Sequence, residues 1–199
     1  MDRIDTLRKK VSGLYLAKNP ARDEWADWLF ENHIFVTADY AGALAKRFGA
    51  RKELARAAGM LHDIADTVAS RFDAAHDEKS ADIARTLLVE SGFSGEEISV
   101  IVDDAIRFHS CRNGNTPKTL EGRVMATADA LAHLQTGFYT HALESKQGSQ
   151  TDEEIKQWAL PKIERDFSQK IFFPEVREEA RPAYEKLKAS FSSLGAIDK

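Results

Sequence analysis

Apolar residues recur along the chain with the spacing of α-helices. A clear series is Leu54, Ala58, Leu61 and Ala65. Steps of three or four residues place the members of such a series on one face of a helix. No segment shows a convincing alternation of apolar and polar residues, which would predict a strand. The pattern therefore predicts an all-α protein.

Polar and small residues mark the ends of the predicted helices. Ser94–Glu97 and Thr151–Glu154 both follow the S/T-x-x-E capping-box pattern, and Gly49 is typical of a helix C-terminus. Thr116 followed by Pro117 predicts another helix start. These signals predict helices near residues 2–18, 23–31, 33–48, 52–66, 78–91, 95–109, 117–142, 152–169 and 175–192.

The polar segment 145–152 is the clearest loop in the chain. About 47 residues follow it, which is too few for an independent second core. We therefore predict one domain over residues 1–199. Its core spans about residues 30–142, and C-terminal helices at about 152–192 pack on that core as a helical appendage.

Composition and charge exclude several classes of function. The chain has 28 Lys and Arg against 32 Asp and Glu, a net charge of −4, without the basic excess of proteins that bind extended nucleic acid. The single cysteine, Cys111, excludes an intrachain disulfide and a cysteine-rich zinc site. No apolar run reaches the roughly 20 residues of a membrane span, and the start, MDRIDTLRKK, lacks the apolar core of a secretory signal. We expect a cytoplasmic protein without membrane contacts, and a homo-oligomer remains an open alternative.

Several histidines and aspartates lie in segments that are otherwise apolar. His62 and Asp63 close an alanine-rich helix, and Asp129 lies within the run VMATADAL. His109 continues the apolar face of the helix predicted at 95–109, so it is expected to point inward. An ionised carboxylate in such a setting requires a cation or strong donors. Because imidazole and carboxylate groups are good ligands for first-row transition metals, these residues predict a metal site.

The order His33, then His62 and Asp63, then Asp129 resembles the H…HD…D pattern of the HD-domain metal-dependent phosphohydrolases. The similarity covers about residues 30–140 and includes the segments ADYAGALA and AAGMLHDI. It implies an HD-domain helical bundle in which these four residues bind one divalent metal ion.

Two further histidines, His76 and His109, lie between the HD pair and Asp129, as they do in bimetallic members of this superfamily. Their segments look especially similar to the branch that hydrolyses diadenosine tetraphosphate symmetrically. The resemblance implies that Asp63 bridges two metals and that both histidines bind the second. One or two ions of Fe, Mn, Co, Ni or Zn per chain suit such ligands, and Mg is a further candidate.

The resemblance also implies a reaction, in which metal-bound hydroxide attacks the phosphorus of a phosphomonoester or phosphoanhydride. We expect the substrate to be a nucleotide or another small phosphorylated metabolite. Asp66, three residues beyond Asp63, is a candidate for orienting the attacking water. Arg112, Lys118 and Arg123 are candidates for binding the substrate's phosphate, although such cations also occur as ordinary surface charges.

Two alternatives to a hydrolase remain open. Some HD-fold proteins with extra histidines are mixed-valent di-iron oxygenases, and a metal-stabilised ligand-binding or sensor domain would use the same residues without turnover. The basic segment near Arg112 favours a phosphate substrate, and the complete ligand set favours catalysis. His133 and His141 have only helical spacing in common with the other histidines, so we interpret them as structural or surface residues.

Overall fold

The computed structural model describes residues 2–195, and every regular element in this range is helical. The α-helices are α1 Arg3–Leu16, α2 Ala26–Leu29, α3 Phe35–Phe48, α4 Lys52–Leu61, α5 His76–Glu90, α6 Gly95–Ile98, α7 Leu120–Gln135, α8 Phe138–Lys146, α9 Asp152–Ser168 and α10 Pro174–Ser192. The remaining helical segments are two π-helices, Phe30–Ile34 and Ser99–Ile106, and two 3-10 turns, Ile64–Thr67 and Arg112–Gly114. The predicted all-α fold is confirmed.

Helix α7 forms the centre of the molecule. It packs against α3, α4, α9, α10 and the π-helix Ser99–Ile106. Every residue from Val124 to Leu134 is buried. Because this helix has no exposed face over that length, its polar side chains Asp129 and His133 must find partners inside the protein.

The close approach of α3 and α4 depends on Gly59. A Cβ atom at this position would lie 2.8 Å from the Cα atom of Ala38 and 3.0 Å from its backbone nitrogen. Only a residue without a side chain lets the two backbones approach this closely. The contact brings the C-terminal end of α4 next to the segment that precedes α3.

The predicted helix ends agree with the structure at three positions. Both capping boxes, at Ser94 and Thr151, are formed in full, and Gly49 ends α3 in the left-handed conformation with φ of 76°. The side chain of each capping residue accepts a hydrogen bond from a free backbone N–H of the first helical turn.

Two predicted helices end earlier than their apolar patterns indicated. The helix predicted at 117–142 is divided into α7 and α8 by Gly137, whose φ is 88°, and α7 starts after Thr119 as N-cap rather than at Pro117. The helix predicted at 52–66 stops at Leu61, because Asp63 leaves helical geometry with φ of −116°. This break places the HD pair at the end of α4.

The C-terminal helices α9 and α10 pack on each other and on α7. They therefore cover the side of α7 that α3 and α4 leave open. None of the helices within residues 2–195 is long and apolar enough to cross a membrane.

Candidate metal centre

Three buried side chains from separate elements bring their ligand atoms together. His33 lies in the π-helix Phe30–Ile34, His62 follows the end of α4, and Asp129 lies in the middle of α7. The Nε2 atom of His33 is 3.2 Å from Nε2 of His62 and 3.1 Å from Oδ1 of Asp129. The distance from Nε2 of His62 to Oδ1 of Asp129 is 3.5 Å. This spacing allows all three atoms to bind one metal ion.

Hydrogen bonds fix the orientation of His62, and one oxygen of Asp129 has no hydrogen bond within the described residues. The Nδ1–H group of His62 donates to the backbone oxygen of Gly59 at 2.9 Å, so its Nε2 lone pair is free to bind a metal. The Oδ1 atom of Asp129 accepts no hydrogen bond of good geometry from any residue in the described range. An unsatisfied buried carboxylate oxygen is costly, and a metal ion would satisfy it.

Asp63 lies between the group of His33, His62 and Asp129 and the ring of His109. Its Oδ2 atom is 3.5 Å from Nε2 of His62 and accepts a hydrogen bond from Arg71 at 2.9 Å. Its Oδ1 atom is 4.0 Å from Nε2 of His109. The other ring nitrogen of His109 donates to the backbone oxygen of Ile106 at 2.7 Å, and burial lowers the pKa of His109 to about 4. His109 is therefore a neutral imidazole that presents Nε2 towards Asp63.

His76 is paired with Asp66 rather than with the other histidines. The distance from its Nε2 atom to Oδ1 of Asp66 is 2.9 Å, and Asp66 is completely buried. Burial tends to lower the pKa of His76, but its hydrogen bond with Asp66 raises that pKa to about 10. The Nη2 atom of Arg71 lies 3.8 Å from Oδ2 of Asp66 and bonds to Asp63. This arginine thus links the two acidic residues.

Both carboxylates at the centre are ionised despite their burial. Burial alone would raise the pKa of Asp63, but His62 and the nearby cations hold it well below its usual value. Burial opposes ionisation of Asp129 as well, and His133 and Lys170 hold its pKa well below the usual value. Metal binding requires deprotonated ligands, so the carboxylates are in the required state.

The C-terminal part of the chain supplies partners for Asp129 and His133. Lys170 donates a hydrogen bond from Nζ to Oδ2 of Asp129, and the same atom lies 3.5 Å from Oδ1 of Asp166. Asp166 accepts a hydrogen bond from the hydroxyl of Tyr139 at 2.5 Å and lies 3.0 Å from Nδ1 of His133. All five side chains are buried. They form a polar network on the side of Asp129 that faces α9.

Sequence reasoning missed most of this network and interpreted His133 as structural or peripheral. Its ring stacks on that of His33 with a centroid distance of 4.9 Å, and its Nε2 atom is 3.4 Å from Oδ1 of Asp129. A signal was present in the sequence, because Lys162, Asp166 and Lys170 recur every four residues. That spacing places charges of both signs on one face of a helix.

A cavity of about 530 Å³ lies beside the centre, and Asp63, His76, His109 and Asp129 line it. The cationic side chains of its wall are Arg71, Arg112, Lys146, Lys162, Arg165 and Lys170.

The three cations that were predicted to bind phosphate therefore have different positions. Arg112 lines the cavity. Lys118 uses its backbone N–H to bind Asp104, and Arg123 lies over the ring of Phe172, 5.9 Å from the ring centroid. Among the described residues around the cavity, neither Lys118 nor Arg123 forms part of the wall.

Comparisons with known proteins match this arrangement. Residues 30–134, more than half of the chain, match the HD domain family. Ribonuclease Y of Petrotoga mobilis is 30% identical over 113 residues, covering 57% of this chain and 20% of that protein. Ribonuclease Y of Thermus thermophilus is 33% identical over 112 residues, covering 56% of this chain and 18% of the relative. The chain thus spans about a fifth of the length of these relatives.

The fold is also similar to that of a solved structure over nearly its whole length. The crystal structure of a predicted HD superfamily hydrolase from an uncultured Thermotogales bacterium aligns with a TM-score of 0.63 at 18% sequence identity. The alignment covers 96% of this chain and 90% of that protein. The finer resemblance to symmetrical diadenosine tetraphosphate hydrolases stays a prediction. The family match and the buried His-His-Asp group lead to one conclusion, that the chain belongs to the HD domain family.

Proposed function

We propose that the protein is a divalent-metal-dependent phosphohydrolase that acts on a nucleotide or another small phosphorylated metabolite. The observation that carries the proposal is the convergence of His33, His62 and Asp129 within 3.5 Å of one another, beside a cavity lined with cations. A divalent metal supplies a water of lowered pKa and polarises the phosphoryl oxygen.

The chain's own cations orient the two carboxylates. Arg71 donates to Oδ2 of Asp63, and Lys170 donates to Oδ2 of Asp129. In each case the hydrogen bond leaves Oδ1 directed towards histidine nitrogens. Hydrogen bonds of this kind hold a ligating carboxylate in one orientation and increase metal affinity.

A second metal is proposed for Asp63, His109 and His76. Asp63 and His109 present facing donor atoms 4.0 Å apart, a separation that one ion between them can span. Asp66 is hydrogen-bonded to His76, so its proposed role in orienting the attacking water runs through that histidine. His76 is the third proposed ligand of this ion, and its ring must lose the proton that it shares with Asp66 before it can bind.

Cations on the cavity wall would bind the phosphate of the substrate. Arg112 is retained from the sequence analysis, and Lys162 and Arg165 on α9 are added because they line the same cavity. Cationic donors bind phosphate through charge-assisted hydrogen bonds. The relatives named ribonuclease Y are, by that name, enzymes acting on RNA, which supports phosphate-ester chemistry for this chain.

The proposal is tested by a phosphate-release screen with several divalent metals. The substrates are nucleotides, dinucleoside polyphosphates, sugar phosphates and short oligoribonucleotides, each assayed with and without chelator and oxygen. We expect metal-dependent hydrolysis of at least one substrate, abolished by chelator and unaffected by removal of oxygen. Asp129→Asn should lose both metal and turnover. Asp27→Asn is the control, since Asp27 is 81% exposed and lies outside the cavity wall.

Other results would overturn the proposal. Substrate-dependent oxygen uptake without hydrolysis would indicate the oxygenase alternative. Tight binding of a ligand with no turnover would indicate the sensor alternative.

A further inference from the structure

Phe72 is an exposed aromatic residue at the edge of the cavity. Phe72 is 73% exposed and lies on the loop between the 3-10 turn Ile64–Thr67 and α5. The ring lines the cavity that Asp63 and Asp129 also line, and it belongs to no hydrophobic cluster within residues 2–195. Most of its surface is therefore accessible to a ligand in the cavity.

A second aromatic ring and a lysine lie next to Phe72. Trp158 on α9 also lines the cavity. The Nζ atom of Lys146, at the end of α8, lies 5.7 Å from the ring centroid of Phe72 and 4.7 Å from that of Trp158. A half-buried lysine thus lies beside both rings at the cavity edge. We call Phe72, Trp158 and Lys146 the aromatic rim.

We propose that the aromatic rim binds the base of a nucleotide, while the phosphate of that nucleotide lies towards the metal centre. Nucleobases stack on aromatic side chains whatever their sequence, and they carry ring nitrogens and carbonyl oxygens that accept hydrogen bonds from lysine. This inference rests on the proposed function and narrows its substrate class.

The other features of the cavity favour a nucleotide over a simple sugar phosphate. Its volume of about 530 Å³ lies within the range of small-molecule sites. Cations such as Arg112 and Lys162 account for binding of an anion, but a sugar phosphate has no aromatic ring to stack on the aromatic rim. A ligand that is anionic at one end and aromatic at the other makes use of both.

Two of the three residues of the aromatic rim lie outside the matched HD segment, whereas Phe72 lies within it. Lys146 and Trp158 lie beyond residue 134, where the family match ends. Helices α8 and α9 therefore contribute to substrate selection as well as to the network around Asp129.

The test compares ligands that differ only in the base. Binding of AMP, GMP, CMP and UMP to the metal-loaded full chain is measured by calorimetry against ribose 5-phosphate. We expect wild type to bind at least one nucleotide about tenfold or more tightly than ribose 5-phosphate, the magnitude of one base-stacking contact. Phe72→Ala should reduce this preference about tenfold, and Phe72→Trp should keep it.

The matched control is Leu16→Ala, because Leu16 is 70% exposed and lies on α1, outside the cavity wall. It should leave the preference unchanged. Phe72 is exposed, so its replacement should also leave the melting curve unchanged, which shows that the variant is folded.

Equal affinity of wild type for both kinds of ligand, no binding of either, or an unchanged preference in Phe72→Ala would overturn the inference. Hydrolysis is measured separately. Phosphate release without any preference for a base would overturn the inference and leave the proposed function intact. Base-dependent binding without hydrolysis of any substrate would support the inference and overturn the proposed function.

Discussion

His109 and His76, the two histidines proposed for a second metal, differ in what they contact. His109 is neutral, and its Nε2 atom faces Asp63. The Nε2 atom of His76 is already paired with Asp66, whose buried Oδ2 atom has no hydrogen-bond partner in the described part of the chain. A second metal is therefore bound only if His76 and His109 both bind it together with Asp63.

We expect His109→Ala and His76→Ala each to lower the metal-to-protein ratio by one ion and to leave the other ion in place. Elemental analysis of purified protein measures this ratio. A purely structural histidine would instead lower the melting temperature without changing the ratio. His141→Ala is the control, because His141 stacks on Trp28 with a centroid distance of 4.6 Å and contacts no proposed ligand among the described residues. If both variants keep the wild-type metal-to-protein ratio, the proposed second metal is wrong and only the first metal remains.

A substitution at Lys170 tests the polar network that surrounds Asp129 on the side of α9. Lys170→Met removes the partner of a buried carboxylate, so we expect the metal-free protein to lose about 3 kcal/mol of unfolding free energy. The loss should be smaller with metal bound, because the metal also neutralises Asp129. Denaturant unfolding with and without chelator measures both values. Equal losses in the two conditions would contradict a metal at Asp129.

Lys188→Met is the matched control for this experiment. Lys188 forms an ion pair with Glu164 whose side chains are 52% and 48% exposed. Exposed pairs contribute little to stability, so this variant should unfold like wild type with and without chelator.

At the residue scale, the order of histidines and aspartates was enough to select candidates, and the structure brings His33, His62 and Asp129 together. The partners of the carboxylates were not predictable in the same way. Lys170 is 41 residues from Asp129, and in a sequence a lysine is most simply interpreted as a surface charge. Only the folded structure shows that this lysine, which follows the end of α9, is buried.

At the scale of elements, the junction of α3 and α4 determines where His62 lies. Gly59 permits this close contact, and its backbone oxygen also accepts the hydrogen bond from the His62 ring.

We expect Gly59→Ala to destabilise the fold by about 2 kcal/mol, because the new methyl group meets the backbone of Ala38, which cannot move aside. Metal content should fall as well, since α4 carries His62 away from His33. Thermal melting and elemental analysis measure the two effects.

Gly13→Ala controls for the general effect of alanine in a helix. A Cβ atom at Gly13 in α1 meets nothing within 4 Å, so this variant should gain about 0.5 kcal/mol and keep its metal. A stable, metal-loaded Gly59→Ala variant would show that the helices can separate without disturbing the centre.

Helix type was predictable from periodicity and capping residues, but two helix breaks were not. The pattern that predicted one helix over 117–142 continues through Gly137, and a single glycine within an apolar series is only a weak sign of a break. The turn at Asp63 was hidden for a similar reason, because Ile64 and Ala65 continue the apolar spacing after the helix has ended. In both places the apolar spacing continues past the end of the helix, so periodicity alone does not show the break.

At the scale of the whole molecule, α7 is enclosed by α3 and α4 on one side and by α9 and α10 on another. The HD match ends at residue 134, yet Lys162, Asp166 and Lys170 complete the surroundings of Asp129. The helices beyond the match are therefore part of the candidate site. Apolar spacing predicted that these helices pack on the core, but it does not show which of their charges face inward.

The N-terminal helix is joined to the rest of the molecule by Arg3. Its guanidinium donates to Glu53 on α4 at 2.6 Å and 2.7 Å, and to Glu97 on α6 at 2.7 Å and 2.8 Å. These partners are 50 and 94 residues away along the chain. The hydrogen bonds with Arg3 lower the pKa of Glu97 to about 2. One arginine thus connects three elements through charge-assisted hydrogen bonds.

The pH dependence of stability follows from that lowered pKa. The pKa of a glutamate in the unfolded chain is about 4.3. The interaction of Glu97 with Arg3 therefore contributes fully to the unfolding free energy above that pH, and this contribution is lost as the pH falls towards 2. We expect Arg3→Met to lower the unfolding free energy by about 1 kcal/mol at pH 7, because these groups are partly exposed and screened by solvent. The difference from wild type should shrink between pH 4 and pH 2.

Urea unfolding of both proteins in chelator, at pH 7 and at steps down to pH 3, measures this difference without any contribution from metal release. Arg181→Met is the control, since Arg181 forms an ion pair with its neighbour Glu178 on the exposed face of α10, and it should match wild type at every pH. If the Arg3→Met deficit stayed constant down to pH 3, the stabilisation would come from packing of the arginine on Phe93, whose ring centroid is 4.3 Å from the guanidinium, and not from its ion pairs.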